Sequence, residues 1–281
     1  SSSKRSDRQL VRFALNDRTA SSYNLQKKWL ASGVSASART VRRRLQQNNI
    51  CSRRPARKPL LSAKNISDRL KFCKLYKSWT AEDWGNVIFS DESPFSCFPN
   101  QGAVRVWRRP GERYKLVCVL PTMKHHQLVH LWGCFSAKGV GSIRVLPSGK
   151  AMNAKWYEDT LDNCLVPTVH MQFGEDECHF QDDNAPCHRA KVIKSWFEGK
   201  DVHPLQLWPG SSPDLNPIEN LWAILGAEVR KAQPRSRNEL ERILLAAWSS
   251  PKVSEAIPKL IESMPHRIAA VLKSRGHHTK Y

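Results

Sequence analysis

The sequence is short of acid. Its 25 Asp+Glu stand against 45 Lys+Arg, a formal charge of +20 at pH 7 with a pI near 9.9, which points towards a polyanionic partner. Long apolar runs are missing too. Nothing approaches the roughly 18 residues of a membrane-crossing helix, and Ser1-Ser2-Ser3-Lys4-Arg5 lacks the apolar stretch of a secretory signal, so membrane and secreted classes are set aside. The eight cysteines contain no C-x-x-C pair or regular spacing, which argues against a disulfide framework and for reduced thiols. Cys178, His179, Cys187 and His188 lack the spacing of a zinc finger. No internal repeat or low-complexity tract occurs. What is present, 281 residues of which 40% are hydrophobic, suffices for a buried core and predicts a soluble, intracellular protein with one large and one smaller domain. The first residue is not Met, as expected of a fragment or processed product.

The positive charge is not evenly spread. Residues 1–64 hold 16 Lys+Arg and 2 Asp+Glu, a net +14 that leaves only +6 for the remainder. Such a concentration predicts nucleic-acid binding at the N-terminus. Helices are expected over about 6–15, 21–31 and 37–47, with Gly33 in a tight turn before the third, the pattern of a helix-turn-helix. In the third, Ala38, Val41 and Leu45 form a buried stripe and Arg39, Thr40, Arg42, Arg43 and Arg44 face away. Cationic side chains so displayed suit phosphates and base edges of a major groove. Arg53, Arg54, Arg57 and Lys58 continue the charge through a proline-interrupted linker over 51–63, fitted to DNA backbone or minor groove or to nuclear import. The domains expected are 1–50, this linker, and 64–281.

Beyond residue 84 short strands are expected at 87–89, 104–107, 128–135, 142–146, 178–181 and 205–208, with helices at 64–79, 153–164, from about 188 to 197 and through most of the C-terminal part. The order implies an α/β domain on a mixed sheet. Acids follow two of these strands, Asp91/Glu92 and Asp182/Asp183, and Glu219 opens a helix. Converging carboxylates need cations, and hard oxygen donors suit Mg²⁺ or Mn²⁺ in phosphodiester cleavage. Each acid also has an ordinary reading: Asp91 in a turn, Asp183-Asn184 capping a helix, and Glu219 in a capping box with Asn216 as N-cap and Pro217 at N1. A basic-aromatic run through 105–113 suits contact with DNA or a partner.

Ser90-Asp91-Glu92, Phe180-Gln181-Asp182-Asp183-Asn184-Ala185-Pro186-Cys187-His188, Leu131-Trp132-Gly133-Cys134-Phe135, and the long motif from Ser212 through Pro213-Asp214-Leu215-Asn216-Pro217-Ile218-Glu219-Asn220-Leu221-Trp222 together resemble the DDE transposases of the Tc/mariner superfamily. The resemblance spans nearly the whole chain. It implies a ribonuclease-H-like mixed sheet flanked by helices, preceded by a small all-α helix-turn-helix domain. It further implies that Asp91, Asp183 and Glu219 are catalytic and bind two Mg²⁺ ions, with Mn²⁺ able to substitute. The implied activity is excision of a DNA transposon at its terminal repeats and joining of the 3′-hydroxyls to TA target DNA, in the nucleus, by a homodimer or higher oligomer. A transposase-derived DNA-binding protein without productive transposition is the alternative, and a nuclease without strand transfer a third. Thirty-five residues separate Asp183 from Glu219, one more than the Tc-type pattern, and residues 1–50 correspond to the second of the two helix-turn-helix subdomains usual in the family. His125-His126-Gln127 replaces the glycine-rich stretch before the Leu131 strand.

Overall fold

A computed structural model describes residues 4–53, 58–97, 128–147, 152–200 and 202–281. The strand expected over 104–107, the run through 105–113, His125-His126-Gln127, Arg54 and Arg57 lie outside the described residues. The chain divides into two compact units, Ser1–Lys58 and Pro59–Tyr281.

Three helices build the first unit: α1 (Lys4–Asn16), α2 (Ser22–Ala31) and α3 (Ala38–Gln47). The Ser21 and Ser37 hydroxyls cap α2 and α3 by accepting from the Asn24 and Thr40 amides, donors that a first helical turn otherwise leaves orphaned. Gly33 takes φ +87° in the turn between them, a conformation that strains any side chain. Leu10, Ala14, Leu25, Trp29, Val41 and Leu45 close the core, and the Trp29 indole donates to the Ser6 carbonyl at 3.1 Å. Arg44 departs from expectation. It is partly buried with a guanidinium nitrogen 3.8 Å from the Asp7 carboxylate of α1, so an acid in the bundle draws it inward.

The second unit opens with α4 (Ala63–Leu75) and α5 (Ala81–Gly85), each begun by a reciprocal capping box. Among the described residues five strands follow: β1 (Val87–Ser96), β2 (Leu128–Ser136), β3 (Gly139–Val145), β4 (His179–Gln181) and β5 (His203–Pro204). They lie in the order β3-β2-β1-β4-β5. β1, β2 and β3 pair antiparallel while β4 and β5 run parallel to β1, which makes the sheet mixed. Between β3 and β4, α6 (Ala154–Thr160) passes through a π-turn at Leu161–Leu165 into α7 (Val166–Gln172). α8 (Lys191–Glu198) joins β4 to β5, and α9 (Ile218–Ala232), α10 (Arg237–Trp248), α11 (Pro251–Glu262) and α12 (Met264–Lys273) complete the unit.

Strand alternation sorts the core into two layers. Phe89, Leu131 and Phe135 pack on one face with Trp84, Leu221 and Trp222, whereas Ile88, Trp132 and Phe180 pack on the other with Tyr157 and Trp196. Two expectations are corrected. Residues 205–208 are not a strand: after the Leu205 amide donates to the Phe180 carbonyl the chain turns, with Leu207 at φ +58°. The helix expected from His188 starts at Lys191, because residues 185–190 are spent in turns.

One buried ion pair fastens the ends of this unit to its middle. Arg69 of α4 grips Asp214 through two contacts of 2.7 Å and also donates to the Gly276 and His277 carbonyls. Thr279 adds its amide and hydroxyl to the same carboxylate, and Arg267 of α12 donates to the Asp214 carbonyl. Burial alone would raise the Asp214 pKa; Arg69 and Thr279 outweigh it and hold the carboxyl below its usual range. Arg69→Met leaves a buried carboxylate without its partner and is expected to destabilise the protein by about 3–5 kcal/mol, measured by denaturant unfolding. Arg69→Met with Asp214→Leu should regain part of that loss.

Candidate active site

Asp91 and Glu92 sit in the middle of β1, not at its end. Pairing of β1 with β2 continues to Ser96, while pairing with β4 stops at Phe89 opposite Gln181. The cause lies in the residues after β4. The Asp182 carboxylate accepts from the Asn184 amide at 2.9 Å and Asn184 adopts φ +60°, so the chain leaves the sheet. Asp91 borders the gap that opens. At its base the Ser90 hydroxyl donates to the Gln181 carbonyl at 2.9 Å and the Ser90 amide to the Gln181 side-chain oxygen at 3.2 Å.

Alternation aims the two β1 acids at opposite faces. Asp91 pairs with Gly133, where a Cβ would come within 2.9 Å of the Trp222 indole, so this pair faces α9. Glu92, paired with Trp132, faces the side of α6. Asn216 then draws the start of α9 to Asp91: its side-chain amide donates to the Ser90 carbonyl at 3.0 Å while its oxygen accepts from the Ile218 amide at 3.3 Å. The expected capping box is therefore absent. Pro217 occupies the N-cap without a side-chain bond, the Glu219 amide goes to the Asn216 main-chain carbonyl, and Glu219 lines the pocket instead.

Asp91, Asp183 and Glu219 line one pocket of about 220 Å³ with Trp208, Pro209 and Asn216. Asn184 fixes that wall by donating to the Trp208 carbonyl at 2.8 Å. Carboxylate oxygens of Asp91, Glu92 and Asp183 all lie within 4.8 Å of one another. The crowding shows in protonation. Burial first, then the charges of Glu92, Glu219 and Asp183, push the Asp91 carboxyl up to about 8. Burial likewise raises Asp182, the extra acid, against the pull of His188. Asp183 behaves oppositely: burial raises it, but His188 and the Ala185 amide, 2.8 Å from Oδ1, bring it below the usual range.

His188, weighed from the sequence as a zinc ligand, instead lies against the acids. Its Nδ1 is 2.9 Å from Asp183 Oδ1, its Nε2 is 3.5 Å from Glu92 Oε1, and its ring stacks on Tyr157 with centroids 3.7 Å apart. Burial lowers its pKa, yet the two carboxylates carry it to about 10. The roles of Asp214 as a buried anchor and of Asn216 as a bridge to Ser90 were not foreseen, although both stand in the long motif. In the first unit, Arg39, Thr40, Arg42 and Arg43 come together with Gln46 on one shallow surface of α3, and the Arg42 guanidinium donates to Ser22 at 3.1 Å. Arg53 and Lys58 are exposed outside any helix or strand.

A carboxylate cluster at the parting of β1 and β4 of a mixed sheet, carried on a chain with a basic helix-turn-helix unit, defines a DDE-type phosphodiester-processing enzyme. The model of the DDE superfamily endonucleases matches residues 86–241, and a transposase helix-turn-helix model matches residues 7–78. The Tcb1 transposase of Caenorhabditis briggsae is 36% identical over 277 residues, 98% of this chain and 100% of that relative. The Tc1 transposase of Caenorhabditis elegans is 38% identical over 246 residues, covering 87% of this chain and 88% of its own. The crystal structure of the mariner Mos1 paired-end complex with Mg superposes with a TM-score of 0.82 at 22% identity, over 100% of this chain and 82% of that one, which shows the ribonuclease-H-like fold. The chain belongs to the Tc1/mariner family of DDE transposases.

The raised Asp91 pKa has a signed consequence. An unfolded Asp loses its proton near pH 4, whereas folded Asp91 keeps it to about 8, so stability from this group is full below the first value and falls as pH rises through the second. Asp91→Asn, neutral throughout, should gain in melting temperature relative to the wild type between pH 6 and 9 when both are melted in EDTA. Parallel curves would refute the crowding of Asp91.

Proposed function

We propose that this transposase binds the terminal repeats of its own element, cuts them by phosphodiester hydrolysis and joins the freed 3′-hydroxyls to TA target DNA. The observation that carries the reading is the convergence of Asp91, Asp183 and Glu219 on one pocket from three separate elements. The donor set fits hard divalent cations: oxygen ligands only, on acids so buried and so close together that Asp91 keeps its proton to about pH 8. Asp91, Asp183 and Glu219 would hold two Mg²⁺ ions, with Mn²⁺ able to substitute. Bound there, the ions supply Lewis acidity towards the attacking hydroxyl and the leaving oxygen.

The remaining work falls to the chain. Asn216 sets the spacing between the helix that bears Glu219 and the strand that bears Asp91, and Asn184 holds Trp208 against the pocket. A scissile phosphate would enter among groups already in place, which removes reorganisation from the barrier. Arg39, Thr40, Arg42 and Arg43 on α3, followed by Arg53, Arg54, Arg57 and Lys58, would grip the repeat, with residues 1–50 as reader, 51–63 as basic linker and 64–281 as catalytic domain. Two ends must be held together for coupled joining, which supports a homodimer or higher oligomer, and the basic linker over 51–63 fits nuclear import.

Asp183→Asn is expected to lower Mg²⁺-dependent cleavage of a duplex carrying the element's ends by about a thousandfold, the effect of several kcal/mol, while gel shifts show end binding unchanged. Equal cutting by both proteins overturns the assignment, and a wild type that binds without cutting supports the binding-only alternative. Arg39→Ala and Arg43→Ala should each reduce the slope of log affinity against log salt by about 0.9, read by fluorescence anisotropy.

A further inference from the structure

We propose that His188 is the positioning residue for Asp183, and that Glu92 serves to orient His188 rather than to hold a cation. The inference rests on the assignment of Asp91, Asp183 and Glu219 to the cations, and it explains why a fourth acid crowds the same place.

Asp183 needs support from outside its own backbone. It follows the end of β4 in a turn, its side chain is 46% exposed, and no strand or helix fixes its rotamer. Both of its observed contacts fall on one oxygen: Oδ1 takes the Ala185 amide at 2.8 Å and faces His188 Nδ1 at 2.9 Å. That leaves Oδ2 as the oxygen available to the pocket. Asp91, by contrast, is carried on a strand paired on both sides of the preceding residues, and its carboxylate accepts from the Glu92 amide at 2.8 Å.

The imidazole is confined by burial and stacking and lies within ion-pair reach of two carboxylates, without hydrogen-bond geometry to either. Its side chain is 4% exposed, its face lies on Tyr157 with an interplanar angle of 20°, and Tyr157 is fully buried in the layer that contains Leu161 and Trp196. The ring cannot turn about its χ2 without giving up Asp183 on one edge and Glu92 on the other. Glu92 is aimed there by strand alternation and is not among the described residues lining the 220 Å³ pocket, although its carboxylate lies within 4.8 Å of those of Asp91 and Asp183. Outer partners of this kind orient metal-binding carboxylates and commonly change affinity when removed.

The test is Mn²⁺ binding to the full chain, followed by the electron paramagnetic resonance of free Mn²⁺, beside the Mn²⁺ midpoint for cleavage of a pre-bound transposon end. His188→Ala should weaken Mn²⁺ binding about tenfold or more and shift the cleavage midpoint equally, with the rate at saturating Mn²⁺ close to wild type. His188→Asn, whose amide nitrogen falls near the Nδ1 position, should restore most of the affinity. His188→Gln, which reaches the Nε2 position, should restore little; this pair keeps the comparison informative even where the alanine variant is less stable. Glu92→Gln should produce a smaller loss than Asp91→Asn, which should remove binding. Wild-type affinity in His188→Ala, equal rescue by Asn and Gln, or loss of binding in Glu92→Gln as complete as in Asp91→Asn overturns the positioning role. A wild type that binds no Mn²⁺ overturns the cation site itself.

Discussion

Like charges do not gather without being forced, and the architecture of the second unit depends on forcing them. Two unit charges 4 Å apart at a partly buried site repel by about 4 kcal/mol, and here three carboxylates share a space within 4.8 Å with Glu219 on the same pocket wall. Rigid scaffolding has to meet that repulsion before any cation arrives. The sheet supplies the first part, since β1 keeps its pairing with β2 while β4 departs. Side-chain amides supply the second. Gln181, Asn184 and Asn216 each span two segments of chain next to an acid, and each bonds to main-chain groups. Neutral donors and acceptors of this sort fix position without adding charge, which suits a place whose charge is already excessive.

Besides His188 on Asp183, a second charged anchor stands further off. Arg69 meets Asp214 five residues before Glu219, in a fully buried pair joined by the chain around residues 276–279. Its carboxylate is satisfied by the guanidinium, an amide and a hydroxyl, so it contributes shape to the motif rather than field to the pocket. Asp214 and Glu219 thus illustrate two uses of an acid within one short segment. One is saturated with donors and held as a carboxylate; the other lines the pocket and its charge adds to the rise in the Asp91 pKa.

The sequence was most legible where structure is local. Serine caps, a glycine turn and a period-3.6 stripe place α1 to α3 nearly as observed, because each signal is contained within a few residues. The three acids were legible through motifs. Their setting was not, because it depends on contacts between distant segments: Asn216 with Ser90, Arg69 with Asp214, His188 with Glu92. Asn216 looked like a helix cap since capping and bridging ask for the same short amide, and only the position of β1 decides between them. The apolar run Leu205-Gln206-Leu207-Trp208 read as a strand for a related reason. Its hydrophobicity serves a pocket wall and an aromatic cluster with Phe72, not a ladder of hydrogen bonds. Arg44 faced the wrong way in the sequence reading because its acid partner lies on another helix.

The reach of the Arg69 clamp also sets an order of assembly. During synthesis Asp91, Asp183 and Glu219 all leave the ribosome before residues 276–279 do, yet those late residues seat Asp214 and, through it, the segment that presents Glu219. Every acid is therefore on hand well before the geometry that makes it dangerous to DNA. A nascent chain holds the parts of a nuclease in unassembled form until residues 276–279 have joined them.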